Sequence, residues 1–158
     1  MLSLDEARAI ADAYAARTGA AWFEPGLSER ERYWVARVGF IGSMGIVIDK
    51  ADGKLTVLGS AFRLQDWLWA YESGFLERDA TLRVLAVHDE EKAVELLRQV
   101  TPEGPPATRN PWPRRSWVRE RLSDLPAELE WSFHVAMLPL LRQAIAERWL
   151  ELEVVAPE

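Results

Sequence analysis

Near its start the chain repeats apolar residues at three- and four-residue steps. Leu4, Ala7, Ile10, Ala11 and Tyr14 recur in this way, while Arg8, Asp12 and Arg17 fall between them, which is the period of an amphipathic helix. Ser3 and Glu6 stand at capping-box spacing, where hydroxyl and carboxylate each satisfy an orphan backbone donor. Thr18-Gly19 supplies a C-terminal stop, so a helix is predicted from about Leu4 to Arg17. From Trp22 the period changes to two. Tyr33 to Gly39 and Met44 to Asp49 are β-branched and aromatic and read as strands. Asp52-Gly53 then provides a turn with a residue free to take positive φ, and Leu55 to Gly59 returns antiparallel.

A second helix starts near Leu64, with Leu64, Trp67, Leu68 and Tyr71 on one face and Gly74 at its end; Trp69 and Phe75 lie off that stripe. Thr81 to Val87 reads as a strand. Asp89 caps a helix that buries Ala93, Leu96, Leu97 and Val100. The stretch 101–113 holds five of the nine prolines, which stiffen it and deny it backbone donors. A helical pattern is expected to resume at Ser116 and again after Pro126, running to about Trp149 with a kink at Pro139, before Leu150 to Val154 alternates like a short terminal strand. The predicted fold class is α+β: one domain over 1–158, in which an N-terminal helix packs on a curved antiparallel sheet within 1–79 and 80–158 forms a mostly helical extension.

Composition narrows the chemistry. The 158 residues contain no cysteine and two histidines, His88 and His134. That excludes a disulfide scaffold, a thiol nucleophile and a cysteine zinc site, and leaves little for a histidine metal centre. No apolar run approaches the ~20 residues of a membrane helix, and the acidic start lacks a signal-peptide pattern, so a cytoplasmic location is expected. Net charge is -6, yet Arg109 to Arg121 carries five arginines against Glu120, which leaves the remainder at -10. An acidic body with one basic, tryptophan-bearing segment favours a basic protein partner over nucleic acid.

The run Gly45-Ile46-Val47-Ile48-Asp49-Lys50-Ala51-Asp52-Gly53-Lys54-Leu55, then Leu58-Gly59-Ser60-Ala61 and Trp67-Leu68-Trp69-Ala70-Tyr71-Glu72, resembles the immunity protein 35 (YrhB-like) family over about Leu4 to Phe75. The resemblance implies a small α+β domain that acts as a cytosolic antidote to a bacterial polymorphic toxin, with no catalytic residues and no cofactor. The segment from Thr81 onward has no counterpart in the family pattern.

The function expected is therefore non-enzymatic: binding a cognate toxin and occluding its active site. The alternative is a small-ligand-binding or enzymatic α+β domain in which Trp34, Trp67 and Tyr71 line a pocket. Eight tryptophans make their placement informative. Trp34 and Trp67 fall on core faces. Trp69, two positions from Trp67, points elsewhere, either into a helix buried all round or outward as a binding anchor. The candidate partner-binding residues are Trp69, Glu72, Glu77, Asp79, Trp112, Arg114 and Arg115. Around Trp112-Pro113-Arg114-Arg115-Ser116-Trp117 three readings stay open: a loop clipped to the body by ion pairs, a partner-binding loop, and a base-stacking basic patch. His88 is expected to cap a helix or be solvated, and His134 to sit in an apolar helix. Glu128 and Glu130 do not share a helix face.

Overall fold

The structure, a computed structural model, describes residues 1–39, 42–77, 80–104, 112–131 and 137–155, the side chains of 22–25, 38 and 39 excepted. Its contacts divide the chain into two compact units, Met1–Trp67 and Leu68–Glu158. The division falls inside a helix.

In the first unit α1 (Leu4–Thr18) is followed by β1 (Ala21–Glu29), β2 (Tyr33–Gly39), β3 (Ser43–Asp49) and β4 (Leu55–Gly59), an antiparallel meander in sequence order. Alternation on the strands and helical period on α1 converge on one core. Ala7, Ala11 and Tyr14 meet Trp34, Ala36, Ile46 and Ile48. The β3–β4 turn forms at the expected residues: Gly53 takes φ 75°, its N–H reaches the Asp49 carbonyl at 3.0 Å, and the Asp49 carboxylate accepts from the Ala51 N–H at 2.7 Å. Lys50, just after β3, is buried. Its ammonium pairs with Glu29 at 2.8 Å, donates to the Arg30 carbonyl and stands 4.9 Å from the centre of the Trp34 ring. The run up to Glu29 contains a strand that the residue pattern did not single out, because Pro25-Gly26 interrupts it. The β1–β2 register shifts between Trp22 and Leu27, and Gly26 lies at φ 86°, the signature of a bulge on an edge strand.

The α1 cap is the expected one. The Ser3 N–H donates to the Glu6 carboxylate at 2.8 Å, and the Ser3 hydroxyl accepts from the Glu6 N–H at 3.3 Å. The Ser3 backbone N–H, and then its hydroxyl, hold the Glu6 carboxyl below its ordinary pKa. A depressed folded-state pKa contributes stability that is present above the unfolded-state value and lost as pH falls through the folded-state value. Glu6→Gln should therefore flatten the acid limb of α1 unfolding, read as helical circular dichroism between neutral pH and pH ~3. An unchanged acid limb would show that the cap does not report there.

Helix α2 (Leu64–Glu72) begins in the first unit and ends in the second. Beyond it come β5 (Thr81–Val87), α3 (Glu90–Val100), α4 (Arg115–Arg121), β6 (Ala127–Glu130), α5 (Leu138–Ala146) and β7 (Leu150–Val155). The three strands form a second antiparallel sheet, ordered β6-β5-β7. α3 buries the predicted Ala93, Leu96, Leu97 and Val100, together with Val94, and Asp89 caps it through the Lys92 N–H.

Two expectations for this half are corrected. Residues 127–130 are a strand, not helix: Ala127 and Leu129 point inward and Glu128 and Glu130 outward, so the period is two and the two glutamates share a face after all. Pro139 does not kink a long helix; it lies in the first turn of α5, where a missing N–H costs nothing. His134 lies outside the described residues. At the end of α5, Arg148 adopts φ 55°, and the Trp149 N–H reaches back to the Ala144 carbonyl at 2.8 Å, a Schellman-type stop that normally holds glycine. Arg148→Gly should raise stability by about 0.5–1 kcal/mol through relief of the left-handed strain, seen as a higher melting temperature. Its exposed pair with Glu151, at 3.5 Å, offsets little of that gain.

Candidate partner-binding surface

Trp69 enters the site through the C-terminus of α2. Gly74 at φ 78° turns the chain so that the Phe75 N–H bonds to the Ala70 carbonyl at 2.9 Å, which folds Phe75 back beneath Trp69. Their rings lie 5.3 Å apart at 32°, and Phe75 in turn meets Trp131 at 5.5 Å and 49°. The Trp131 indole N–H donates to the Phe75 carbonyl at 3.2 Å. Phe75 and Trp131 are buried, whereas Trp69 is half-buried, so it is the outer member of an aromatic stack with part of its indole left accessible. Glu72 on the same helix is exposed and Glu77 just beyond it half-buried; Asp79 lies outside the described residues. No sequence signal marked Phe75 or Trp131 as its partners, because the stack depends on the Gly74 turn and on a residue more than fifty positions away.

The second group of candidates leads into α4. Trp112 is 58% exposed. Pro113 is buried, and its carbonyl accepts from the Arg98 guanidinium at 2.7 Å, while the Arg114 N–H donates to Glu103 at 3.3 Å. Arg115 is committed internally: it reaches Glu95 at 3.0 Å and Glu91 at 3.7 Å. Arg119 does the same with Glu90 at 3.0 Å and with Glu91, and these bonds raise its guanidinium above the ordinary arginine pKa. Two of the segment's five arginines are therefore paired with glutamates of α3. Among the described residues of the segment, Arg114, Trp117 and Arg121 are not paired with α3 in this way.

Two further features involve titratable groups. A cleft of about 310 Å³ is lined by Val87, His88, Glu90, Arg119, Leu122 and Ser123. His88 is not a cap: its ring nitrogen Nε2 pairs with Glu151 at 3.0 Å, and this bond, with Arg148 nearby, holds the Glu151 carboxyl below its ordinary pKa. On the outward face of the second sheet Arg83 bridges Glu128 at 2.6 Å and Glu153 at 2.7 Å. Among the described residues no group of three or more His, Asp or Glu side chains is placed to hold a metal ion.

Of the residues in the alternative pocket reading, Trp34 and Trp67 are buried. Trp34 belongs to the α1 core. Trp67 lies against Gly59, where an added Cβ would come within 2.7 Å of its ring, and it meets Phe62 at 6.1 Å.

In class the protein is α+β, with two antiparallel sheets and five helices among the described residues, and no described helix is long and apolar enough to cross a membrane. No protein-family model, curated protein or solved structure matches the chain.

Proposed function

We propose that the chain is a non-enzymatic immunity protein that binds a cognate bacterial polymorphic toxin and occludes its active site in the cytoplasm. The observation that carries this reading is the resemblance of about Leu4 to Phe75 to the immunity protein 35 family, on the hairpin Gly45–Leu55, the Gly59-Ser60-Ala61 corner and the Trp67–Glu72 helix. Its quoted residues have scaffold work: Gly53 makes the turn, Lys50 ties the β1 end to Trp34, and Gly59 admits the Trp67 ring. A scaffold of this kind leaves recognition to groups the core does not use. Among the candidates these are Trp69, Glu72 and Glu77, and Trp112 with Arg114; Asp79 lies outside the described residues. Arg115, the remaining candidate, pairs with Glu91 and Glu95. The net charge of -6 supports long-range steering toward a basic toxin, with aromatic anchors supplying affinity after contact.

Co-expression with the toxin encoded beside this chain should rescue growth, and the pair should co-elute on size exclusion. Absence of both rescue and complex would overturn the reading.

A further inference from the structure

α4 sorts its arginines into two stripes. At roughly 100° per residue, Arg115 and Arg119 fall on one side, where Glu90, Glu91 and Glu95 of α3 take them up. Arg114, Trp117 and Arg121, at i, i+3 and i+7, fall on another, within an arc of about 60°. Val118, buried between the two stripes, anchors the helix. On the second stripe Arg114 and Arg121 are exposed and Trp117 half-buried. The Arg121 guanidinium lies 5.3 Å from the centre of the Trp117 ring. Among the described residues neither guanidinium has an ion-pair partner, and the Trp117 indole N–H donates to no side chain or carbonyl. The ion pairs with α3 hold the helix in place, so this guanidinium–indole–guanidinium row is presented on a fixed element rather than a loose loop.

We propose that this row docks an acidic polypeptide segment of the partner. Arg114 and Arg121 are separated by about 10 Å along the helix axis. Carboxylates at i and i+7 of a helix match that spacing on one face, with an apolar residue at i+3 or i+4 between them to lie on Trp117. Guanidinium forks take carboxylates bidentately, and the indole supplies the apolar contact and one further donor. The charge of -10 outside the 109–121 segment works against a nucleic-acid strand, whose phosphates continue beyond the row, more than against a short acidic segment. The row deepens the binding reading above and rests on it for the ligand being a protein. Its positive charge, set in an acidic body, would fix the orientation in which the partner lands.

The test titrates the full chain with poly-L-glutamate and, separately, with a twelve-nucleotide oligothymidylate at one ionic strength, following the Trp117 indole N–H by NMR. Poly-L-glutamate should shift that resonance. Arg114→Ala with Arg121→Ala should weaken its binding at least fivefold, and Arg8→Ala on α1 should leave it unchanged. If the double variant unfolds, Arg121→Gln alone should weaken binding at least twofold. A Trp117 resonance that does not move, an equal loss with Arg8→Ala, or tighter binding of the oligothymidylate would each overturn the proposal. Growth rescue by co-expression reads the immunity function separately, so either idea can fail without the other.

Discussion

Gly45→Ala should destabilise the first unit by about 3 kcal/mol, the upper range of small-to-large strain, while Gly19→Ala should cost only about 1 kcal/mol. Both glycines have positive φ, 155° and 71°, so conformation alone does not separate them. Space does. A Cβ on Gly19 would meet nothing within 4 Å, whereas a Cβ on Gly45 would stand 2.4 Å from the Ala36 carbonyl oxygen. That atom is backbone of the neighbouring strand and cannot swing aside like a side-chain tip. Relief requires β2 and β3 to part where Ala36 pairs with Ile46, next to the core residues Ala36, Ile46 and Ile48. The same place is tied by Ser43, whose hydroxyl accepts from the Gly45 N–H at 3.1 Å and faces the Gly45 and Leu58 carbonyls at 3.0 Å each. Urea denaturation of the two variants checks the difference, and amide exchange on β2 and β3 locates it. Equal shifts for both would mean that φ, rather than the backbone contact, sets the cost.

What was legible in the sequence was what local chemistry decides. α1 carries its start in Ser3 and Glu6 and its stop in Gly19, and the structure puts the helix within one residue of that reading. The β3–β4 hairpin is held by a turn whose residues all lie within six positions. β1 was not singled out because Pro25-Gly26 breaks its alternation. β6 was misread because Ala-Glu-Leu-Glu is only four residues long and precedes a longer apolar run of helical character. What makes it a strand is its pairing with β5, Thr81 opposite Glu130 and Arg83 opposite Glu128, a partnership more than forty residues away that no window of sequence contains. The candidate site divides in the same way. The excess of arginine at 109–121 can be counted, but which arginines are consumed depends on α3 and α4 lying side by side, so Arg115 was grouped with Arg114 although the structure separates them. The half-buried Trp117 and the exposed Arg121 were not named as candidates for the same reason.

Truncating the two ends of the aromatic stack should separate folding from binding. Trp131 is buried, 6% exposed, packed on Phe75 and bonded to its carbonyl; Trp131→Ala removes a large buried ring and leaves that carbonyl without the indole donor. The expected loss is about 4 kcal/mol, within the range for large aromatic truncations. Trp69 is half-buried and touches the stack from outside, so Trp69→Ala should cost about 2 kcal/mol, the sum of partial area burial and one ring contact. Binding should rank the other way. If the accessible part of Trp69 is an anchor for the proposed partner, its truncation weakens the complex by at least ~2 kcal/mol. Trp131→Ala should leave the affinity of its folded fraction near wild type, since that indole offers a partner almost no surface. Trp69→Phe supplies the control: it keeps a ring against Phe75 and should recover most of the stability while recovering less of the affinity. Melting curves give the first ranking, and titration with the co-expressed toxin gives the second. Should Trp69→Ala lower stability yet bind as tightly as the parent chain, Trp69 is the outer wall of a core and recognition has to be sought along Arg114, Trp117 and Arg121.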